Sequence, residues 1–127
     1  EDADLPLVMD IVGRLADLYL EADLALVGGA FDATGLHSVI EPAAAGLPVL
    51  FGPLHDRREA DDLLTRGGAE VVTRRDATKK ILAYVEDRER RVAAGAAARA
   101  YVEGGAGAAL ANATARRFSS STAPSRL

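Results

Sequence analysis

The residues best suited to chemistry stand together between two short apolar runs: Gly28-Gly29, Phe31, His37, Ser38 and Glu41, with Arg58 a little further on. The first run, Leu24 to Val27, ends at the glycine pair. The second, Val49 to Phe51, ends at Gly52-Pro53. A polar loop and a short Ala-rich helix lie between them, so the polar groups gather at one strand's carboxyl end. In open α/β sheets ligands bind in the crevice there. Glycine lets the backbone approach a ligand and permits positive φ, although a lone glycine pair more often marks a plain turn. His37 could donate to a phosphate or a carboxylate. It has no Asp or Ser partner in sequence for nucleophilic catalysis. Phe31 could stack on a ligand ring or plug the loop, and both readings stay open. Arg58-Glu59 follows a strand end and could look into the same crevice.

Ser38-x-x-Glu41 matches a capping box, in which the serine accepts from the Glu41 backbone and the Glu41 side chain reaches back to the serine amide. On spacing alone that structural reading is the simpler one. In that register, however, Pro42 is the fourth helical residue and removes the first intrahelical hydrogen bond. A start at Glu41, with Pro42 in the first helical position, suits proline better. Glu41 then sits at the helix mouth facing the loop, where it could accept from sugar hydroxyls. Free amides at a helix start suit a phosphate, but a glutamate at that place repels an anion. Hydroxyl recognition is therefore the role expected of Glu41.

The elements that must hold these residues follow from the apolar pattern. Leu7 to Val12, Leu24 to Val27, Val49 to Phe51 and Ala69 to Val72 are apolar runs suited to buried strands. Helical spacing is expected over Arg14 to Ala22 (Leu15, Leu18, Tyr19, Ala22), over Ser38 to Ala45 up to Gly46, and over Arg58 to Arg66. Gly67-Gly68 ends the last of these. Asp76 or Thr78 could cap a helix running through Val85, with Ile81, Leu82 and Val85 inward. Arg88 to Glu103 and Ala106 to Phe118 read as two more Ala-rich helices, split by Gly104-Gly105. Ser119 to Leu127 has the composition of a disordered tail. Continuous apolar strands alternating with helices predict an α/β, Rossmann-like parallel sheet of about four strands, flanked by helices and closed by Ala-rich C-terminal helices. One domain over 1–118 and a tail over 119–127 are expected.

Composition narrows the chemistry. The chain has 127 residues, 49% of them hydrophobic and 5% aromatic, so its core is expected to be built from small aliphatic side chains. Its 15 basic and 19 acidic residues give a net charge of −4, which argues against a nucleic-acid partner. It has no cysteine, so thiol catalysis, disulfides and cysteine metal sites are excluded. Two isolated histidines, His37 and His55, do not make a histidine-rich metal site, and no metal is expected. No apolar run approaches the ~20 residues of a membrane-spanning helix. The chain opens Glu-Asp-Ala-Asp without an initiator methionine and reads as a piece of something longer. An open sheet edge would also be a place for a second copy to pair, giving a homodimer.

The combination of Gly28-Gly29, His37, Glu41-Pro42-Ala43, Gly46-Leu47-Pro48-Val49, Phe51-Gly52-Pro53 and Arg58-Glu59 resembles the carboxyl-terminal domain of bacterial 3-deoxy-D-manno-octulosonic acid (Kdo) transferases. Ala22-Asp23-Leu24-Ala25-Leu26-Val27 is similar too, and the resemblance runs to about Phe118. It covers most of this chain and part of the family's length. The combined motif is fairly specific, whereas Glu-Pro before a Gly-x-Pro strand is common to many GT-B glycosyltransferases. The resemblance implies a GT-B fold of two Rossmann-like domains facing a cleft. The carboxyl-terminal domain would bind the donor CMP-Kdo, with Gly28, Gly29, His37, Ser38 and Glu41 lining its site. No separate cofactor is implied. The family's catalytic base lies in the amino-terminal domain, so no catalytic residue is expected here. The implied reaction moves Kdo to a lipid A precursor at the cytoplasmic face of the bacterial inner membrane, through an oxocarbenium-like transition state with CMP leaving. Acceptor and membrane would be met by regions outside this chain, which alone should bind donor weakly and transfer nothing. The loop departs from the family's usual Gly-Gly-His-Asn, reading Gly35-Leu36-His37-Ser38, and Ala30 replaces a common serine. The changes at Leu36 and Ser38 keep a UDP-sugar donor open as an alternative; a non-catalytic α/β module, whose capping box and turns are purely structural, is another.

Overall fold

A computed structural model of the chain describes residues 15–105. The expected strand at Leu7 to Val12, the helix at Ala106 to Phe118 and the tail from Ser119 lie outside the described residues. Within them the order is α1 (Leu15–Glu21), β1 (Ala25–Val27), α2 (Ile40–Ala44), β2 (Val49–Phe51), α3 (Arg58–Arg66), β3 (Ala69–Val71), α4 (Ala77–Glu86) and α5 (Arg88–Gly104). The three strands form one parallel sheet in the order β1-β2-β3. Ala25 pairs with Val49 and Val27 with Phe51; Val49 pairs with Ala69 and Phe51 with Val71. The sequence predicts about four strands, and three are present among the described residues.

Strand β2 is buried throughout, because both faces of the sheet are covered. Val49 and Phe51 join Val27, Leu63, Ala98 and Tyr101 in one core cluster. Leu50 joins Val72, Tyr84 and Ala94 in the other. Helix α5 therefore serves both layers, through Ala94 on one side and Ala98 with Tyr101 on the other. The continuous apolar run at residues 49–51 is the sequence signature of this double burial.

Helix α4 turns differently from the expectation. Leu82 and Val85 are 48% and 52% exposed, while Tyr84 is buried. Ala77, Ile81 and Tyr84 form the inner stripe. Tyr84 wins the inward place because its hydroxyl finds a partner on the sheet, donating to Glu70 Oε1 at 2.9 Å. Arg90 donates to the same oxygen at 2.8 Å, and its guanidinium lies 4.4 Å from the Tyr84 ring centre. Lys80 Nζ stands 3.6 Å from Glu70 Oε2. These contacts answer the one carboxylate carried by β3 and tie α4 and α5 to it. Asp76 does precede α4, but it caps nothing by its side chain. Its carboxylate instead accepts from the Thr73 amide at 2.7 Å, which holds its pKa below the ordinary value. Asp87 is the residue that caps, accepting from the Arg90 amide at the start of α5.

Tyr101 fastens α5 to α3. It is 2% exposed, and its hydroxyl donates to Asp62 Oδ2 at 2.9 Å. Burial, then the Asp62 carboxylate, push the phenol pKa up to about 12. A raised pKa means that the folded state favours the protonated phenol. The stabilisation is complete below the ordinary value near 10 and is lost as the pH rises through about 12. Urea midpoints are therefore expected to fall across that interval, and to fall less in Tyr101→Phe.

Candidate active site

A cleft of about 380 Å³ opens beside β1, between α1 and the start of α2. Its floor is β1 and its exit glycine, Gly28. One wall is the stripe Leu15, Leu18, Tyr19 and Ala22 on α1, and the other carries His37, Ser38 and Glu41. Four residues singled out from the sequence, Gly28, His37, Ser38 and Glu41, thus share one cavity. The α1 stripe faces this cleft, and Leu15 remains 54% exposed.

The loop that leads from β1 to α2 is closed by its own backbone. The His37 amide donates to the Gly28 carbonyl at 3.0 Å, bringing His37 back over the glycine pair. Gly29 has φ +96°, and a Cβ there would fall on the Gly35 carbonyl and 2.8 Å from His37 Cδ2. Gly28 has open space around the same position. The two glycines therefore do different work: Gly29 permits the loop, and Gly28 keeps the cleft floor bare. Asp32 accepts from the Thr34 amide at 2.8 Å and from the Thr34 hydroxyl. These two bonds fix a tight turn in the middle of the loop, and the hydroxyl, then the amide, lower the Asp32 pKa.

Neither expected start of α2 occurs. The N-cap is Val39, with no side-chain cap hydrogen bond, and the helix begins at Ile40. Pro42 is then the third helical residue, where no intrahelical donor is needed. The first helical bond is made by Ala43, to the Val39 carbonyl at 3.2 Å. Proline displaces the start by one residue from the capping-box register, and Val39 and Ile40 are pulled into the core. As a result Ser38 and Glu41 are not spent on a cap. Ser38 is exposed and Glu41 half-buried, both at the cleft.

The other sequence candidates lie elsewhere. Phe31 is half-buried and packs on the cluster of Leu50, Val72 and Tyr84. Arg58 is largely exposed and stands 3.9 Å from Asp62. Its neighbour Arg57, passed over in the sequence, is the one that reaches the loop, donating from Nε to the Leu36 carbonyl at 2.8 Å. His55 is held structurally: Nε2 lies 3.1 Å from Asp61 Oδ1, and its ring meets Phe51 edge-on at 5.1 Å. Tyr19 also lines the cleft and was not among the residues singled out in the sequence. Its signal was present as the one member of the α1 stripe with a polar tip. Burial, then the negative charge of Glu41, raise its phenol pKa. Among the described residues there is no group of His, Cys, Asp and Glu suited to hold a metal ion.

No family model matches the chain, and no solved structure matches it. The 3-deoxy-D-manno-octulosonic acid transferase of Chlamydophila psittaci is 36% identical over 91 residues, which is 68% of this chain and 21% of that protein. The enzyme of the same name from Bordetella pertussis is 36% identical over 105 residues, 80% of this chain and 24% of its own length. That from Chlamydia muridarum is 35% identical over 102 residues, 78% and 22% of the two chains. The chain belongs to the Kdo transferase family. It spans between a fifth and a quarter of the length of these curated relatives. Two of its departures from the usual Kdo transferase loop are buried, Leu36 at 2% and Ala30 at 0% exposure. Only the third, Ser38, faces the cleft.

Proposed function

We propose that this chain supplies the donor-binding part of a Kdo transferase, a Rossmann-like carboxyl-terminal domain of a GT-B glycosyltransferase. The donor is CMP-Kdo and the acceptor a lipid A precursor, met at the inner face of the bacterial inner membrane through regions outside this chain. The observation that carries the reading is the convergence of Gly28, His37, Ser38 and Glu41 on one cleft that runs along β1 as far as Gly28 at its carboxyl end. The bare Gly28 lets a ligand approach the backbone. Glu41 accepts from sugar hydroxyls, and His37 with Ser38 donates toward the phosphate side. The residues of this chain bind and orient the donor while the nucleotide leaves. Alone, the chain binds nucleotide weakly and transfers no sugar.

A UDP-sugar donor loses one of its two motives, since Leu36 packs in the core. A purely structural module required Ser38 and Glu41 to close a cap, and α2 has no side-chain cap. Glu41→Gln separates the readings. With no cap to break, its unfolding free energy should stay within about 0.5 kcal/mol of the parent chain. Its affinity for CMP should fall about ten-fold or more, the scale of a hydrogen bond to a charged group. Unchanged CMP binding with a stability loss of about 1 kcal/mol would instead support the structural module.

A further inference from the structure

We propose that Tyr19 is a specificity-determining residue of the cleft, whose hydroxyl reads a ribose diol together with the Glu41 carboxylate. This deepens the nucleotide-binding reading and rests on it. Tyr19 and Glu41 reach the same cavity from opposite walls, one from α1 and one from α2. Among the described residues neither the Tyr19 hydroxyl nor the Glu41 carboxylate makes a hydrogen bond to another side chain or to backbone. Two polar groups of a half-enclosed cleft are therefore free for a ligand.

Their chemistry is complementary. A carboxylate only accepts, so Glu41 can take hydroxyl protons but can offer nothing to a hydroxyl oxygen. A phenol supplies the missing donor. Burial and the Glu41 charge both hold Tyr19 in its protonated form, so it enters neutral solution as a donor. Vicinal hydroxyls each carry a proton and lone pairs, and a pair consisting of one donor and one acceptor satisfies them together. The flanking Leu18, Leu24 and Leu26 offer an apolar surface to the sugar face. A sugar lacking one hydroxyl leaves a polar group of the site unpaired, which is where discrimination arises.

The test uses the purified chain, with affinities for CMP and 2′-deoxy-CMP measured by amide chemical shifts for the parent, Tyr19→Phe and Glu41→Gln. Phenylalanine keeps the ring, and thermal melts confirm that each variant folds. The parent should bind CMP about five- to ten-fold tighter than 2′-deoxy-CMP. Tyr19→Phe should lose most of that preference by weakening CMP binding, with 2′-deoxy-CMP binding left nearly unchanged. If Tyr19→Phe weakens both nucleotides equally, or neither, the proposal is overturned while the nucleotide-binding reading stands. If the parent binds neither nucleotide, that reading fails and takes this inference with it.

Discussion

Gly29→Ala is expected to cost the fold about 3 kcal/mol, while Gly28→Ala, one residue away, changes stability by less than about 0.5 kcal/mol. The contrast follows from geometry. At Gly29 an added methyl meets two penalties at once. The backbone has φ +96°, where an L-residue is strained by about 1–2 kcal/mol. The methyl would also lie on the Gly35 carbonyl, a backbone atom that cannot swing aside as a side-chain tip can. Overpacking of that kind adds about 1–3 kcal/mol. Gly28 has neither penalty, since nothing lies within 4 Å of its added Cβ. It does line the cleft, so its methyl should weaken CMP binding with the melting temperature intact. Thermal melts and CMP titrations of the two variants read both effects. Equal melting temperatures would show that the loop is not built as described.

Gly95→Ala is expected to destabilise by about 2 kcal/mol, although in a free helix the same change would stabilise by about 0.8–1 kcal/mol. Helix α5 crosses the turn between α2 and β2 at Gly95. A Cβ there would fall on the Gly46 carbonyl oxygen, 2.9 Å from the Gly46 carbonyl carbon and 3.5 Å from Pro48 Cδ. The turn cannot retreat. Gly46 has φ +81°, its amide donates to Ala43, and the Leu47 amide donates to Pro42. This is a Schellman closure of α2. The steric term exceeds the propensity term, so the sign is reversed. Urea unfolding should show a lower midpoint at unchanged slope. A raised midpoint would mean that α5 stands further from the turn. The same close approach accounts for the small residues Ala94, Gly95 and Ala98 on the buried face of α5. At Gly68 a Cβ would lie 2.7 Å from the Ala98 backbone, and larger side chains along this face would push the helix off the sheet.

What could be read in advance depended on whether one physical signal acted alone. Helix α3 was legible to the residue, from Arg58 to Arg66, because a polar start and the Gly67-Gly68 stop frame an apolar stripe with no competing motif. Strand β2 was equally plain, being apolar on both faces. At α2 two local signals competed, a capping box and a proline, and neither decided the outcome. The burial of Val39 and Ile40 did, and that depends on tertiary packing. The inward turn of Tyr84 rests on a distant partner, Glu70, which no local pattern reveals. Of the residues that line the cleft, Gly28, His37, Ser38 and Glu41 could be singled out by residue type and position. Tyr19 could not, because it comes from the facing helix, and neither could the loop contact of Arg57, which reaches back to the Leu36 carbonyl.

The central claim is that this cleft receives the nucleotide of CMP-Kdo. Titration of the isotopically labelled chain with CMP, UMP and UDP, followed by amide chemical shifts, tests it most directly. The account predicts that CMP selectively shifts the amides of the Gly28–Glu41 segment and that UMP and UDP bind more weakly. A preference for UDP, or CMP shifts that leave Gly28, His37 and Glu41 unmoved, would contradict it.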